Sequence, residues 1–184
     1  MTGGASRGLN PDSPLARLLA GPIRPGRVTW LGARPERHAP LTALDAVEIT
    51  REAGLAGDHY NGRPNADGRG GKRQVTLIQA EDLAAITSYL GRPVSPEDLR
   101  RNIVVEGVNL RALKNRRFQV GGVVLEDTGD CHPCSRMETI LGPGGYNAVR
   151  GHGGITARVV TGGVVRIGDA VTAVETPLPL FDIP

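Results

Sequence analysis

Two cysteines, the only two in 184 residues, stand three positions apart in the segment 127–136. The segment reads Asp-Thr-Gly-Asp-Cys-His-Pro-Cys-Ser-Arg, so His132 lies between the thiols and Arg136 follows Cys134 by two positions. A cysteine that only packs behaves as a small hydrophobe that alanine or valine can replace, so scarce and clustered thiols tend to do chemistry. The polar neighbours argue further against a pair that serves only to fill a core.

The residues around Cys131 and Cys134 allow three kinds of chemistry. A strand is predicted over 123–127 and a helix over 135–141, and a helix N-terminus would stabilise a thiolate, as in dithiol redox pairs. The pair could instead form half of a zinc site. The chain has four histidines to complete such a site, and their spacing matches no second half: His38, His59, His132 and His152. In the third interpretation Cys134 alone is reactive and Cys131 is incidental.

Cations that could bind an anion occur at two further places. Arg100, Arg101 and Asn102 stand at a predicted helix-to-strand junction, where guanidinium forks bind phosphate bidentately and an asparagine can add a donor. Arginines in a last helical turn also complement the helix dipole, so a solvated helix end is the plainer interpretation of these residues alone. Lys72 and Arg73 follow two glycines but lack the spacing of a phosphate-binding P-loop.

The elements that would position these side chains are mostly strands. With 26 glycines, 14 prolines and 3% aromatic residues, the composition predicts many short strands joined by tight turns around a core of Val, Leu, Ile and Ala. Helices are predicted over 80–90 and from Ser95, and a hairpin or bend at Gly121-Gly122. Because regular βαβ alternation is missing, the predicted class is mostly β with a few helices (α+β). Strands are predicted at 28–32, 43–50, 73–79, 102–106, 118–120, 123–127, 155–161, 163–167 and 170–174.

The chain divides into a loosely held arm over 1–26, one domain over 27–175 and a tail over 176–184. A long polar loop over 54–73, Gly-rich in its part 61–71, interrupts the domain, and loops of that length are commonly functional or disordered.

The whole chain is mildly basic, with a formal charge of +3 and a pI near 9.2. This balance suits an anionic ligand and lacks the strong basic stripe of a nucleic-acid binder. Two cysteines make no disulfide framework, no apolar run is long enough to cross a bilayer, and the N-terminus has no secretory signal pattern. We therefore expect a soluble cytoplasmic protein without membrane or nucleic-acid partners.

The order of motifs along the chain resembles the MOSC domain, which is named for the C-terminal domain of molybdenum cofactor sulfurases. Gly57-Asp58-His59 comes first, the segment 73–81 follows, and then Leu99-Arg-Arg-Asn-Ile-Val-Val-Glu-Gly and the Val-rich segment 118–126 lead to Pro133-Cys134. The likeness covers about residues 28–174.

This resemblance implies a MOSC-like β-barrel decorated by helices, with the family's reactive cysteine at Cys134. In related amidoxime- and hydroxylamine-reducing proteins that cysteine is the protein ligand of molybdenum in the pyranopterin cofactor. Arg101 and Asn102 fall where the family holds the pterin phosphate. On this basis we expect the phosphate to be held by Arg100, Arg101, Asn102, Lys72 and Arg73. The substrate side would be lined by His59, His132 or Arg136, which would supply protons.

The leading hypothesis is therefore a molybdenum-cofactor-dependent reductase of N-hydroxylated substrates, with Cys134 on the metal. A separate electron donor protein is expected, because the chain carries no flavin, haem or iron–sulfur motif. No lysine stands in a context that suggests pyridoxal phosphate, so desulfurase activity is not expected. The alternatives are a non-enzymatic sulfur-carrier or cofactor-handling module with a persulfide on Cys134, exchanged with a sulfur donor or acceptor, and a thiol–disulfide oxidoreductase that uses both thiols. An oligomer is compatible with any of these.

Overall fold

A computed structural model describes residues 10, 12–37, 39–60 and 70–177 of the chain. Outside these ranges lie most of the arm before residue 12, His38, residues 61–69 of the predicted 54–73 loop and the tail after residue 177. The prediction of a mostly β fold with a few helices and a β-barrel is confirmed within them. The prediction of a loop is wrong at Gly54 and Leu55, which form a short strand paired with the chain at 49–50.

The described part of the chain contains eleven strands and five α-helices. The strands are β1 Gly26–Ala33, β2 Thr42–Leu44, β3 Ala46–Thr50, β4 Gly54–Leu55, β5 Val75–Gln79, β6 Ile103–Glu106, β7 Arg116–Val120, β8 Val123–Asp130, β9 Ile155–Thr161, β10 Gly163–Arg166 and β11 Ala170–Pro177. The helices are α1 Pro14–Leu19, α2 Ala80–Leu90, α3 Pro96–Leu99, α4 Ser135–Leu141 and α5 Gly145–Val149. A 3-10 turn spans Leu110–Leu113.

Seven of the strands close into a barrel in the order β11-β7-β8-β9-β5-β6-β1, and β1 pairs back to β11. β2 extends this sheet beside β1. Only the β5–β6 pair of the barrel is parallel, and the chain between these two strands forms α2 and α3. Parallel neighbours need such a crossover, because a tight hairpin turn can join only antiparallel strands.

The single strand predicted over 43–50 is wrong, because the chain changes sheet at Asp45. β2 pairs with β1 in the barrel sheet, whereas β3 pairs with β10 and β4 in a separate three-stranded sheet. The backbone N–H of Ile167 donates to the carbonyl of Asp45 at 3.1 Å, which ties this change of direction to the end of β10. Alternating apolar residues in β3 then bury Val47 and Ile49 against the barrel.

Two apolar clusters hold the fold together. One fills the barrel with Val, Leu and Ile side chains and includes a single aromatic side chain, that of Phe118. The other lies outside the barrel and includes Ile78, Ile86, Val104 and Met137. There α2 packs on β5 and β6, α5 packs on α2, and α4 packs on α5. The candidate site described below lies beside this second cluster. None of the helices in the described ranges is both long and apolar enough to span a bilayer.

Several local signals act as predicted. α2 spans Ala80–Leu90 and ends at Gly91, which adopts a left-handed φ of 64°. α3 begins with a capping box in which the Ser95 and Asp98 side chains bond reciprocally to backbone N–H groups. The residues Gly121-Gly122 form the two-residue hairpin between β7 and β8. The hairpin sets the register of β8, the strand that leads to the cysteines, against β7.

Candidate functional site

One cavity of about 240 Å³ lies where four parts of the chain meet. These are the junction of α3 with β6, the end of β8, the start of α4 and the turn after β4. The cavity combines both thiols, several guanidinium groups and a short apolar floor. Its lining comprises Arg34, Asp58, Tyr60, Arg73, Gln74, Thr76, Leu99, Arg100, Arg101, Asn102, Cys131, His132, Cys134, Arg136 and Met137.

Cys134 is exposed to solvent and occupies the N-cap position of α4. The helix covers Ser135–Leu141, as predicted, and the backbone N–H of Met137 donates to the carbonyl of Cys134 at 2.9 Å. Met137 and Leu141 are buried in the second apolar cluster, so the helix that begins at this thiol is anchored to the domain. The thiol is therefore reachable from outside while the backbone on its C-terminal side is held.

Three guanidinium groups share the space around this thiol. Burial lowers the pKa of Arg100 below its ordinary value, and the positive charges of Arg34 and Arg136 lower this pKa further, whereas the charges of Cys134 and Asp58 oppose the shift. Burial likewise lowers the pKa of Arg34, the charge of Asp58 opposes this, and the charge of Arg136 adds to the lowering. Like charges that are partly desolvated and repel one another favour an anion between them.

Asp58 is the carboxylate that connects this group of cations to the barrel. Its side chain is 5% exposed and accepts hydrogen bonds from the backbone N–H groups of Arg34 (3.2 Å) and Tyr60 (2.9 Å). It also accepts one from the side-chain amide of Asn102 at 2.8 Å. One buried carboxylate thus fixes three separate chain segments at the cavity wall.

Arg101 is 7% exposed and points into the protein. Its Nε donates to the carbonyl of Gly153 at 2.7 Å, and its two terminal nitrogens donate to the carbonyls of Leu99 at 2.6 Å and Cys131 at 3.4 Å. Arg100 differs from it, because it is partly exposed and adopts a left-handed φ of 60°. One of its nitrogens donates to the carbonyl of Arg37 at 2.8 Å.

Asn102 is also buried, with its side chain engaged on both sides. Its carbonyl oxygen accepts from the N–H (3.1 Å) and the hydroxyl (2.7 Å) of Thr76, and its amide donates to Asp58 and to the carbonyl of Gly32. Both donors of the amide group are therefore used within the protein. This arrangement joins β1, β5 and β6 directly beneath the cavity.

The remaining predicted site residues are divided between the cavity and its surroundings. His132 and Arg73 line the cavity and are exposed. Lys72 is exposed but does not line it, and its backbone carbonyl accepts the Thr128 hydroxyl. The ring of His59 lies beside the cavity wall, where its Nδ1 accepts a hydrogen bond from Nε of Arg34 at 3.1 Å.

Cys131 is half-buried and lines the same cavity. Its backbone N–H donates to the carbonyl of Gly154 at 2.8 Å, which continues the pairing of β8 with β9 by one residue. Within the ranges that the structure describes, no three His, Cys, Asp or Glu side chains converge to hold a metal ion. His38, one of the histidines considered for a zinc site, lies outside those ranges.

The lining includes two charged residues that the sequence did not identify as site residues, Arg34 and Asp58. Arg34 follows the first strand at the start of a basic tract, and Asp58 stands in the Gly57-Asp58-His59 motif. The motif was a usable signal, but its histidine was the predicted site residue, whereas in the structure its aspartate lines the cavity.

Comparison with known proteins agrees with this architecture. The sequence model of the MOSC domain matches residues 56–172. The crystal structure of the YuaD protein from Bacillus subtilis is similar with a TM-score of 0.70 and 22% identity, covering 82% of this chain and 96% of that one.

Two YiiM structures are also similar. That from Geobacillus stearothermophilus has a TM-score of 0.65 and 15% identity, with 81% of this chain and 75% of that one covered. That from Escherichia coli has a TM-score of 0.60 and 16% identity, with 80% and 69% covered. These likenesses show a shared fold. No protein with a curated description matches the chain in sequence.

Proposed function

Because the chain belongs to the MOSC domain family, we propose that it binds the molybdenum cofactor through Cys134 and reduces N-hydroxylated substrates. The observation that carries this proposal is the exposed thiol of Cys134 at a cavity that Arg34, Arg100 and Arg136 also line. A thiolate is a soft, strongly donating ligand for a metal of this kind. The surrounding guanidinium groups suit a cofactor that carries a phosphate.

The residues present fit such a cofactor in chemistry and in charge. Four cationic side chains that are not wholly buried line the cavity, those of Arg34, Arg73, Arg100 and Arg136. The carboxylate of Asp58 is already hydrogen-bonded to the protein. At about 240 Å³ the cavity is smaller than the roughly 300–1,000 Å³ typical of pockets that enclose a drug-sized ligand. The described residues would therefore enclose only part of a ligand as large as a pyranopterin.

When bound, the cofactor supplies two-electron oxygen-atom transfer. The net reaction takes an N-hydroxylated substrate, two electrons and two protons to the reduced nitrogen compound and water. Arg100 and Arg34 would hold the anionic part of the cofactor, while His132, exposed at the cavity, would hold a proton near the substrate oxygen. A separate electron donor protein completes the proposal.

A second candidate function, that of a sulfur-carrier module, is favoured by the same exposure of Cys134. A sulfur-carrier module needs a thiol that a partner protein can reach, and a persulfide on Cys134 would be open to attack from solvent. In that role the cations would attract the partner's anionic groups and no metal would be required.

Turnover by cysteine variants separates these functions. We expect protein from a cofactor-producing host to reduce an amidoxime with a reduced viologen as electron source. Cys134→Ser should reduce turnover by more than the roughly 100-fold that the loss of an outer-shell partner costs a metal site. Cys131→Ser should retain most of it.

Equal loss in both variants would contradict the proposal and favour a dithiol mechanism. A chain without turnover that releases labile sulfur from Cys134 under mild reduction would favour the carrier.

A further inference from the structure

Arg101 stands beside Arg100 in the sequence, but the two guanidinium groups have different surroundings. That of Arg101 is buried and donates to backbone carbonyls of three separate segments, at Leu99, Cys131 and Gly153. Burying a guanidinium is costly unless its donors are satisfied, so these bonds fix its orientation. The group therefore joins the end of α3, the end of β8 and the turn before β9.

One of the joined segments leads directly to the thiol. Cys131 is held on both sides of its peptide unit, since its N–H donates to Gly154 at 2.8 Å and its carbonyl accepts from Arg101. The turn packs so closely that a Cβ at Gly153 would overlap the carbonyl oxygen of Cys131. Cys134 follows three residues later at the start of the anchored helix α4. The short connection is thus fixed at its first residue by Arg101 and at its last by the helix.

From this arrangement we propose that Arg101 is a positioning residue that holds the Cys134 thiol near the guanidinium groups of Arg34, Arg100 and Arg136, acting through the backbone of Cys131. Its consequence for cofactor binding rests on the proposed function, but the positioning itself does not. Charge at position 101 is insufficient for this role, because three carbonyls in different directions require the planar fork of an arginine.

The local field at the thiol can be measured without any cofactor. Iodoacetate and iodoacetamide both alkylate a thiolate, which attacks the CH₂ carbon and displaces iodide, and they differ in charge. The ratio of their second-order rates therefore reports the positive field at Cys134 and cancels the thiolate fraction. Cys131→Ser serves as the background, because it leaves a single thiol and keeps the backbone groups that Arg101 contacts.

In this background we expect Arg101→Lys to lower the ratio by about fivefold, because loss of one unit charge from a few ångströms away removes about 1 kcal/mol in water-like surroundings. Arg101→Gln, which also lacks the charge at position 101, should lower it at least as much. Arg116→Lys is the matched control. Arg116 also donates to a backbone carbonyl, that of Leu19, but it does not line the cavity. This control should leave the ratio unchanged.

A wild-type ratio in Arg101→Lys, with a fall only in Arg101→Gln, would overturn the proposal, since charge alone would then suffice. If Arg101→Lys does not fold, hydrogen exchange of the guanidinium Nε–H in the unsubstituted chain decides instead. The Nε–H of Arg101, which donates to Gly153, should then exchange much more slowly than that of the exposed Arg24, and equal exchange of the two would equally overturn the proposal. If Arg101→Lys lowers the ratio as expected and the chain binds no molybdenum, the positioning role stands and only the cofactor proposal is refuted.

Discussion

Asp58 is the residue whose hydrogen bonds connect most of the candidate site. Arg34, Tyr60 and Asn102 all donate to its carboxylate, which leaves both oxygens occupied. The guanidinium of Arg34 thus reaches the cavity from a backbone that Asp58 holds in place. Disturbing this carboxylate should affect both the stability of the fold and the placement of a cation.

Replacing Asp58 by asparagine tests this directly. The new amide nitrogen would face groups that are themselves donors, and a buried polar group left unsatisfied costs about 1–3 kcal/mol. We expect Asp58→Asn to lower the free energy of unfolding by about that amount in urea titrations. Glu36→Gln, at an exposed position, should change it by less than about 0.5 kcal/mol. If the two variants are equally stable, the hydrogen bonds of Asp58 do not hold these chain segments together.

Part of this site could be predicted from the sequence, and the buried contacts of the rest could not, for a physical reason. The cysteines are rare and clustered, so Cys134 and its neighbours stood out, and the structure places Arg100 and Arg136 in the same cavity. The orientation of Arg101 could not be predicted, because its acceptors are backbone carbonyls, which every residue carries. The contact between Asp58 and Asn102 spans 44 residues and exists only once the strands have paired.

Among the elements, α5 was the helix that the sequence pattern did not indicate. Two glycines precede Tyr146, and glycine has a low helix propensity, so the stretch predicts a turn. The structure supplies the missing stabilisation from α4. The two carboxylate oxygens of Glu138 accept from the N–H groups of Gly144 and Tyr146, each at 2.8 Å. A contact between two helices thus decides the structure of a segment whose own residues favour a loop.

The capping by Glu138 predicts a dependence on pH. The hydrogen bonds from Tyr146 and Gly144 lower the pKa of this carboxyl below its ordinary value of 4.5. The stabilisation is therefore present above pH 4.5 and is lost as the pH falls through the lowered pKa of the folded state. We expect Glu138→Gln to lower the urea midpoint at neutral pH. The difference from the unsubstituted chain should shrink below pH 4.5.

Glu48→Gln, at an exposed position of β3, is the control, because its side chain caps no helix. A deficit of Glu138→Gln that stays constant across this pH range would argue against the capping role.

At the scale of the whole molecule, barrel closure brings distant residues to one cavity. Arg34 follows β1, Asp58 follows β4, Arg100 precedes β6 and Cys134 follows β8. The order of motifs along the chain was enough to predict the family and the barrel, because it resembles that of a known domain. It did not predict that β3 leaves the barrel sheet. The local sign of this change is a shift in the phase of the apolar positions, from Leu44 and Ala46 to Val47 and Ile49.

Under the proposed function, the cavity would hold a molybdenum cofactor with Cys134 on the metal. Molybdenum content, measured in the purified chain and its cysteine variants from a host that synthesises the cofactor, tests this. We expect stoichiometric molybdenum in the unsubstituted chain and in Cys131→Ser, and little in a folded Cys134→Ser. Folded, unsubstituted protein without molybdenum, or a Cys134→Ser variant that keeps it, would refute the proposal.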